Sequence, residues 1–133
     1  MKVLLDTNAY SALMRGDSSV ADRVRKSEEI LMSAVVSGEL LFGFRNGSRF
    51  AKNVKELETF LQNPYVRFLP INLTTADRFS RVAVELKRKG TPIPTNDIWI
   101  AAHAMETGAD LISFDEHFRN VDGLAWVYPE ELA

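Results

Sequence analysis

Four acidic residues interrupt an otherwise apolar pattern at corresponding places. Asp6 follows the run Lys2-Val3-Leu4-Leu5, and Glu39 follows an apolar run over 30–36 and the pair Ser37-Gly38. Asp97 comes after Thr91-Pro92-Ile93-Pro94, and Asp115 ends a second apolar run over 110–114. Carboxylates gathered in one pocket repel each other, which raises some of their pKa values. A divalent cation relieves that repulsion, and hard oxygen donors in an incomplete cage suit Mg²⁺ or Mn²⁺. Such an ion can activate water and stabilise the leaving oxygen of a phosphodiester. The chain has no cysteine, which excludes disulfides, thiolate metal sites and cysteine nucleophiles. With two histidines it offers no convincing pair for metal-free cleavage through a 2′-hydroxyl.

The acids converge only if the intervening elements bring them together. Residues 2–5 read as a short buried strand, followed by a helix over 9–15 ended by Gly16. Ser18 or Ser19 can cap a helix running to Lys26. Residues 30–36 read as a second strand, apolar enough to be covered on both faces, with a helix beginning near Glu39. Phe50, Val54, Leu57 and Leu61 fall at helical spacing over 48–61, and Asn63-Pro64 stops that helix. Residues 66–69 suggest a third strand. An amphipathic helix is expected over 75–89 with Gly90 as its cap, then a helix over 98–107 closed by Gly108. Strands over 110–114 and 125–128 complete the pattern. Alternating strands and helices specify an α/β fold, a three-layer α/β/α sandwich on a mostly parallel central sheet of about five strands. No repeat or linker divides the chain, so 1–133 is expected to be a single domain. Ligands of open α/β sheets bind beyond the carboxyl ends of the strands, where Asp6, Glu39 and Asp115 are expected, with Asp97 joining them from a helix N-terminus.

The bulk composition narrows the setting. The chain has 133 residues, 46% hydrophobic and 26% charged, which suits one soluble globular unit. No apolar run approaches the roughly 20 residues that span a bilayer, and Asp6 arrives too early for a signal peptide. A cytoplasmic location is expected. The formal net charge of −2 is low for a nucleic-acid binder, so local basic patches or bound cations must offset the acids.

Four segments carry a family resemblance. Leu4-Leu5-Asp6-Thr7-Asn8, Ser37-Gly38-Glu39-Leu40-Leu41-Phe42-Gly43, Pro92-Ile93-Pro94-Thr95-Asn96-Asp97-Ile98-Trp99-Ile100-Ala101-Ala102 and Ser113-Phe114-Asp115-Glu116-His117-Phe118 resemble, in order, the motifs of PIN-domain proteins. They are most similar to the VapC-like toxins of toxin–antitoxin pairs. The resemblance implies that Asp6, Glu39, Asp97 and Asp115 are catalytic. Asp6, Asp97 and Asp115 would hold Mg²⁺ or Mn²⁺, and Glu39 would bind metal or orient water. Thr7 would support the first acid, and Asn96 is a further supporting position. The implied reaction hydrolyses RNA to a 5′-phosphate and a 3′-hydroxyl, in an enzyme that inhibits translation or growth. A cognate antitoxin and a homodimer are the implied partners, with no membrane. Tyr10, Leu13, Met14, Phe42 and Phe44 are a candidate groove for an antitoxin helix.

Each acid also has a plain explanation. Asp6 suits an Asx-turn or a helix cap, and Asp97 and Glu39 suit helix N-termini. Asp115 can cap the segment that follows it. Asp77, Asp110 and Asp122 read as cap, strand and turn residues. His103 reads as packed; His117, two residues past Asp115, is near enough in sequence to approach the site but reads as structural. Arg45, Arg49, Lys52 and Lys55, and separately Arg78, Arg81, Lys87, Arg88 and Lys89, read as solvated helix faces or as RNA-phosphate contacts. Competing functions are a catalytically silent RNA- or antitoxin-binding protein, a metal-dependent phosphatase or a DNA nuclease. Asn8 opposes a haloacid-dehalogenase-type phosphatase, which needs a second Asp there. A receiver domain needs an acidic pair after the first strand, where only Asp6 stands.

Overall fold

The computed structural model describes residues 1–129; residues 130–133 of the expected single domain lie outside them. In chain order the elements are β1 (Lys2–Leu5), α1 (Thr7–Met14), α2 (Ser18–Lys26), β2 (Glu29–Ser33), α3 (Ala34–Arg45), α4 (Phe50–Leu61) and β3 (Val66–Leu69). There follow α5 (Leu73–Lys89), α6 (Thr95–Thr107), β4 (Asp110–Ile112), a 3₁₀ turn (Glu116–Asn120) and β5 (Trp126–Val127). The strands form one sheet in the order β3-β2-β1-β4-β5. Every pairing is parallel, with Leu4 opposite Leu31 and Leu111.

Consecutive residues of a strand face opposite sides of its sheet. Leu4, Leu5, Leu31, Met32, Leu111 and Ile112 are all fully buried, so both faces are covered. This is the three-layer arrangement expected from the apolar strands. Each such side chain contributes roughly 1.5–3 kcal/mol of hydrophobic stabilisation.

The chain winds outward from β1 through β2 to β3, then returns to the other side of β1 as β4 and β5. The strand order therefore reverses beside β1, and a crevice opens beyond its carboxyl end. Asp6 is the first residue after β1.

Several boundaries depart from the expectation: the strands expected over 110–114 and 125–128 are shorter, at Asp110–Ile112 and Trp126–Val127, and the largest difference lies after the second strand. The second strand ends at Ser33, and Ala34-Val35-Val36 already belong to α3. The Ser33 hydroxyl accepts the Val35 N–H at 3.0 Å and caps the helix there. A run that is apolar apart from Ser33 fits a buried strand and a buried helix start equally well. Glu39 consequently lies in the second turn of α3, not at a helix start. Three other helices begin two or three residues earlier than expected: α1 under the Asp6 cap, α5 under an Asn72–Thr75 capping box, and α6 directly after Pro94. Gly90 and Gly108 close α5 and α6 with φ of 69° and 72°, the left-handed conformation glycine tolerates. Among the described residues, no helix is long and apolar enough to cross a membrane.

Candidate active site

Asp6 is 3% exposed, at the head of the crevice. Its Oδ1 accepts the Ala9 N–H at 2.9 Å, so the expected cap is real. Its Oδ2 accepts the hydroxyl of Ser113, which leaves β4 fully buried. The Ser113 Oγ also accepts the Asp115 N–H at 3.0 Å. One serine thus ties the acid after β1 to the acid after β4. The sequence reading assigned Ser113 no role, although a serine two residues before an acid is a common local cap.

Glu39 approaches from α3 and is held at both oxygens. Thr7 Oγ1 donates to Oε1 at 2.6 Å, and Asn96 Nδ2 donates to Oε2 at 3.3 Å. Thr7 therefore supports Glu39, not the first acid as expected. Asn96 supports the same carboxylate from α6. Asp97 is the third residue of α6, where the helix dipole favours its charge. The structure thus brings Asp6, Glu39, Asp97 and Asp115 to one end of the sheet, as the spacing predicted.

His117 does approach the site. The 3₁₀ turn carries it back to α6, and its Nε2 lies 2.7 Å from Asp97 Oδ2. That nitrogen is itself buried. Donor atoms of Asp97, Asp115 and His117 all fall within 4.8 Å of one another.

The electrostatics follow from this crowding. Burial pushes the Asp6 carboxyl up to about 6, and Asp115 and Asp97 push the same way; the bonds from Ser113 and Ala9 oppose them. Burial also raises Asp97, helped by Asp115 and Glu39 and opposed by His117. Every ion pair that lysine or arginine makes with a carboxylate among the described residues goes to some other acid. Crowded carboxylates beside an imidazole nitrogen are a donor set that fits a divalent cation.

The remaining candidates fall outside the cluster. Asp77 pairs with Arg81 at 2.9 Å and Asp122 with Lys89 at 3.1 Å. Asp110 opens β4. His103 is fully buried between Ser33 Oγ at 2.8 Å and the Pro70 carbonyl at 3.2 Å. Arg45 stacks over Phe50 at 4.6 Å. Trp99 stacks on Phe79 with centroids 4.0 Å apart, whereas Phe42 stays 69% exposed beside Glu39. Of the residues expected to line an antitoxin groove, Tyr10 is buried against Phe60, whereas Phe42 is exposed.

The PIN domain family model matches residues 3–124. The chain belongs to the PIN-domain family. Among its relatives, Ribonuclease VapC1 of Haemophilus influenzae (strain R2866) is 29% identical over 131 residues, covering 95% of this chain and 96% of the relative. The tRNA(fMet)-specific endonuclease VapC of Shigella flexneri is 26% identical, covering 93% of this chain and 95% of its own. The solved structure of VapBC-1 from nontypeable Haemophilus influenzae superposes with a TM-score of 0.83 at 26% identity, over 96% of this chain and 97% of that one. In this PIN domain, the four acids of the sequence motifs meet where the strand order reverses.

Proposed function

We propose that this PIN domain is a Mg²⁺- or Mn²⁺-dependent ribonuclease and the toxin of a toxin–antitoxin pair. The observation that carries the reading is the convergence of Asp6, Glu39, Asp97 and Asp115 at the head of the sheet, two of them raised by burial. Asp6, Asp97 and Asp115 would hold the ion. A divalent ion bound there lowers the pKa of water and offsets charge building on the phosphoryl oxygens. Glu39, fixed by Thr7 and Asn96, orients the attacking water on the far side of phosphorus from the leaving oxygen. Water oxygen bonds to phosphorus as the bond to the 3′ oxygen breaks, giving a 5′-phosphate and a 3′-hydroxyl. Ser113 keeps Asp6 and Asp115 in register with each other.

RNA as substrate is supported by the names of the relatives, one a ribonuclease and one an endonuclease for a transfer RNA. An antitoxin partner is supported by the likeness to the VapBC-1 structure, and the VapC-like motifs favour a homodimer. The enzyme would work in the cytoplasm, where such RNA resides.

The test uses the purified full-length chain, freed of any partner, with end-labelled cellular RNA in Mg²⁺, Mn²⁺ or EDTA, beside Asp97→Asn. Metal-dependent cleavage that Asp97→Asn abolishes is expected, with 5′-phosphate ends. Cleavage that survives in EDTA or in the variant would overturn the metal site, and no cleavage by folded, metal-loaded protein would favour a silent binding role.

A further inference from the structure

We propose that His117 is a nitrogen donor to the cation of this site, and that it makes the site prefer Mn²⁺ over Mg²⁺. The proposal rests on the metal-dependent reading above and adds a residue and an ion preference to it.

The fold commits His117 to this place. Phe118 is 1% exposed and anchors the 3₁₀ turn in the core, and the His117 ring packs against it with centroids 4.9 Å apart. The turn starts directly after Asp115, which places His117 two residues from that acid. His117 Nε2 is thereby held 2.7 Å from Asp97 Oδ2, with the ring 30% exposed to the crevice. Two donor atoms at that separation, with an Asp115 oxygen within 4.8 Å of both, are placed as ligands of a common ion are.

The chemistry then discriminates between ions. Mg²⁺ demands oxygen donors and keeps its waters, so an imidazole adds little for it. Mn²⁺ shares with Mg²⁺ a preference for carboxylates, but as the softer of the two it accepts an imidazole nitrogen beside them more readily. A site of carboxylates alone would lack that bias.

Pulsed electron paramagnetic resonance on the full-length chain, stripped of metal and loaded with Mn²⁺, tests the assignment. The expected result is the modulation that a directly bound imidazole nitrogen imposes on Mn²⁺, lost in His117→Gln. The signal has one source, because the chain has two histidines and His103 is enclosed in the core between Ser33 and Pro70. Parallel titrations should show Mn²⁺ affinity falling about tenfold in His117→Gln, with Mg²⁺ affinity falling less than about threefold. Mn²⁺ bound without nitrogen modulation would overturn the proposal while leaving the carboxylate metal site standing. Failure of the wild-type chain to bind either ion would overturn both. If His117→Gln does not fold, the wild-type spectrum alone decides.

Discussion

Asp6 has conflicting duties: it caps α1 as a buried group and, on the proposed mechanism, must be ionised to hold a cation. Its pKa is raised from 3.8 to about 6, so the fold favours the protonated form. The stabilisation is therefore complete below pH 3.8 and is lost as pH rises through about 6. At 1.36 kcal/mol per unit, ionising Asp6 in the metal-free protein costs about 3 kcal/mol. Asp6→Asn, neutral at every pH, escapes that cost and keeps an oxygen for the Ala9 N–H. Metal-free Asp6→Asn is expected to melt above the wild type at pH 8, the gap closing below about pH 4, while its RNA cleavage is abolished. A gap independent of pH, followed by circular dichroism, would show that Asp6 is not the group responsible. Thr7→Val keeps the side-chain shape but removes the 2.6 Å bond to Glu39. Charge-assisted hydrogen bonds are worth about 1.5–3 kcal/mol, so kcat for RNA cleavage should fall about tenfold or more with KM little changed. An unaltered kcat would show that Glu39 needs no such support. The four acids are legible in the sequence because each ends or begins an element with its own signature. Ser113, His117 and the true partner of Thr7 are not. They depend on which side-chain oxygen or ring nitrogen meets a neighbour from a distant element, which spacing along one segment does not encode.

At the scale of elements, the junction of β2 and α3 has the most to explain. Ser33 is fully buried, caps α3 through the Val35 N–H, and meets His103 Nδ1 at 2.8 Å. The Pro70 carbonyl can only accept, so His103 Nε2 carries the proton and Nδ1 accepts from the Ser33 hydroxyl. Burial lowers the His103 pKa below its ordinary 6.5, which keeps the ring neutral and this pattern intact at neutral pH. A lowered pKa means that the stabilisation is present above pH 6.5 and is lost as pH falls. Ser33→Ala removes a helix cap and the partner of a buried imidazole together. It is expected to lower unfolding free energy by about 2 kcal/mol in urea denaturation; a loss under about 0.5 kcal/mol would mean that water or a shifted backbone replaces the hydroxyl. Hydrophobic pattern alone reads 30–36 as one strand, since Ala34, Val35 and Val36 continue its apolar run. The cap decides otherwise, and through it Glu39 is carried onto a helix face that looks across at Thr7 and Asn96. By contrast, the glycine stops at Gly90 and Gly108 read correctly from sequence, because a left-handed terminus has a residue type of its own.

For the molecule as a whole, the parallel sheet with order β3-β2-β1-β4-β5 concentrates negative charge at one end. The number and apolar character of the strands were legible from the sequence, but the reversal of order beside β1 is a property of long-range pairing. No cationic side chain lines the depression beside Glu39, which is walled by Val35, Phe42, Ile71, Asn96 and Trp99. A chain of net charge −2 that acts on a polyanion thus needs its neutralising charge from outside, and a divalent ion supplies it. An ion that binds the folded site and not the unfolded chain stabilises by mass action, about 2.7 kcal/mol at one hundred times its Kd. The wild-type melting temperature is therefore expected to rise with Mn²⁺, and less with Mg²⁺, in buffers matched for ionic strength. Asp97→Asn should show little of the rise, since one donor is lost beside His117. The rise should also shrink as pH is lowered through about 6, because protons then compete for the Asp6 carboxyl. Equal stabilisation of wild type and Asp97→Asn would mean that the ion acts on surface charge, and that the acids at the head of the sheet are neutralised in some other way.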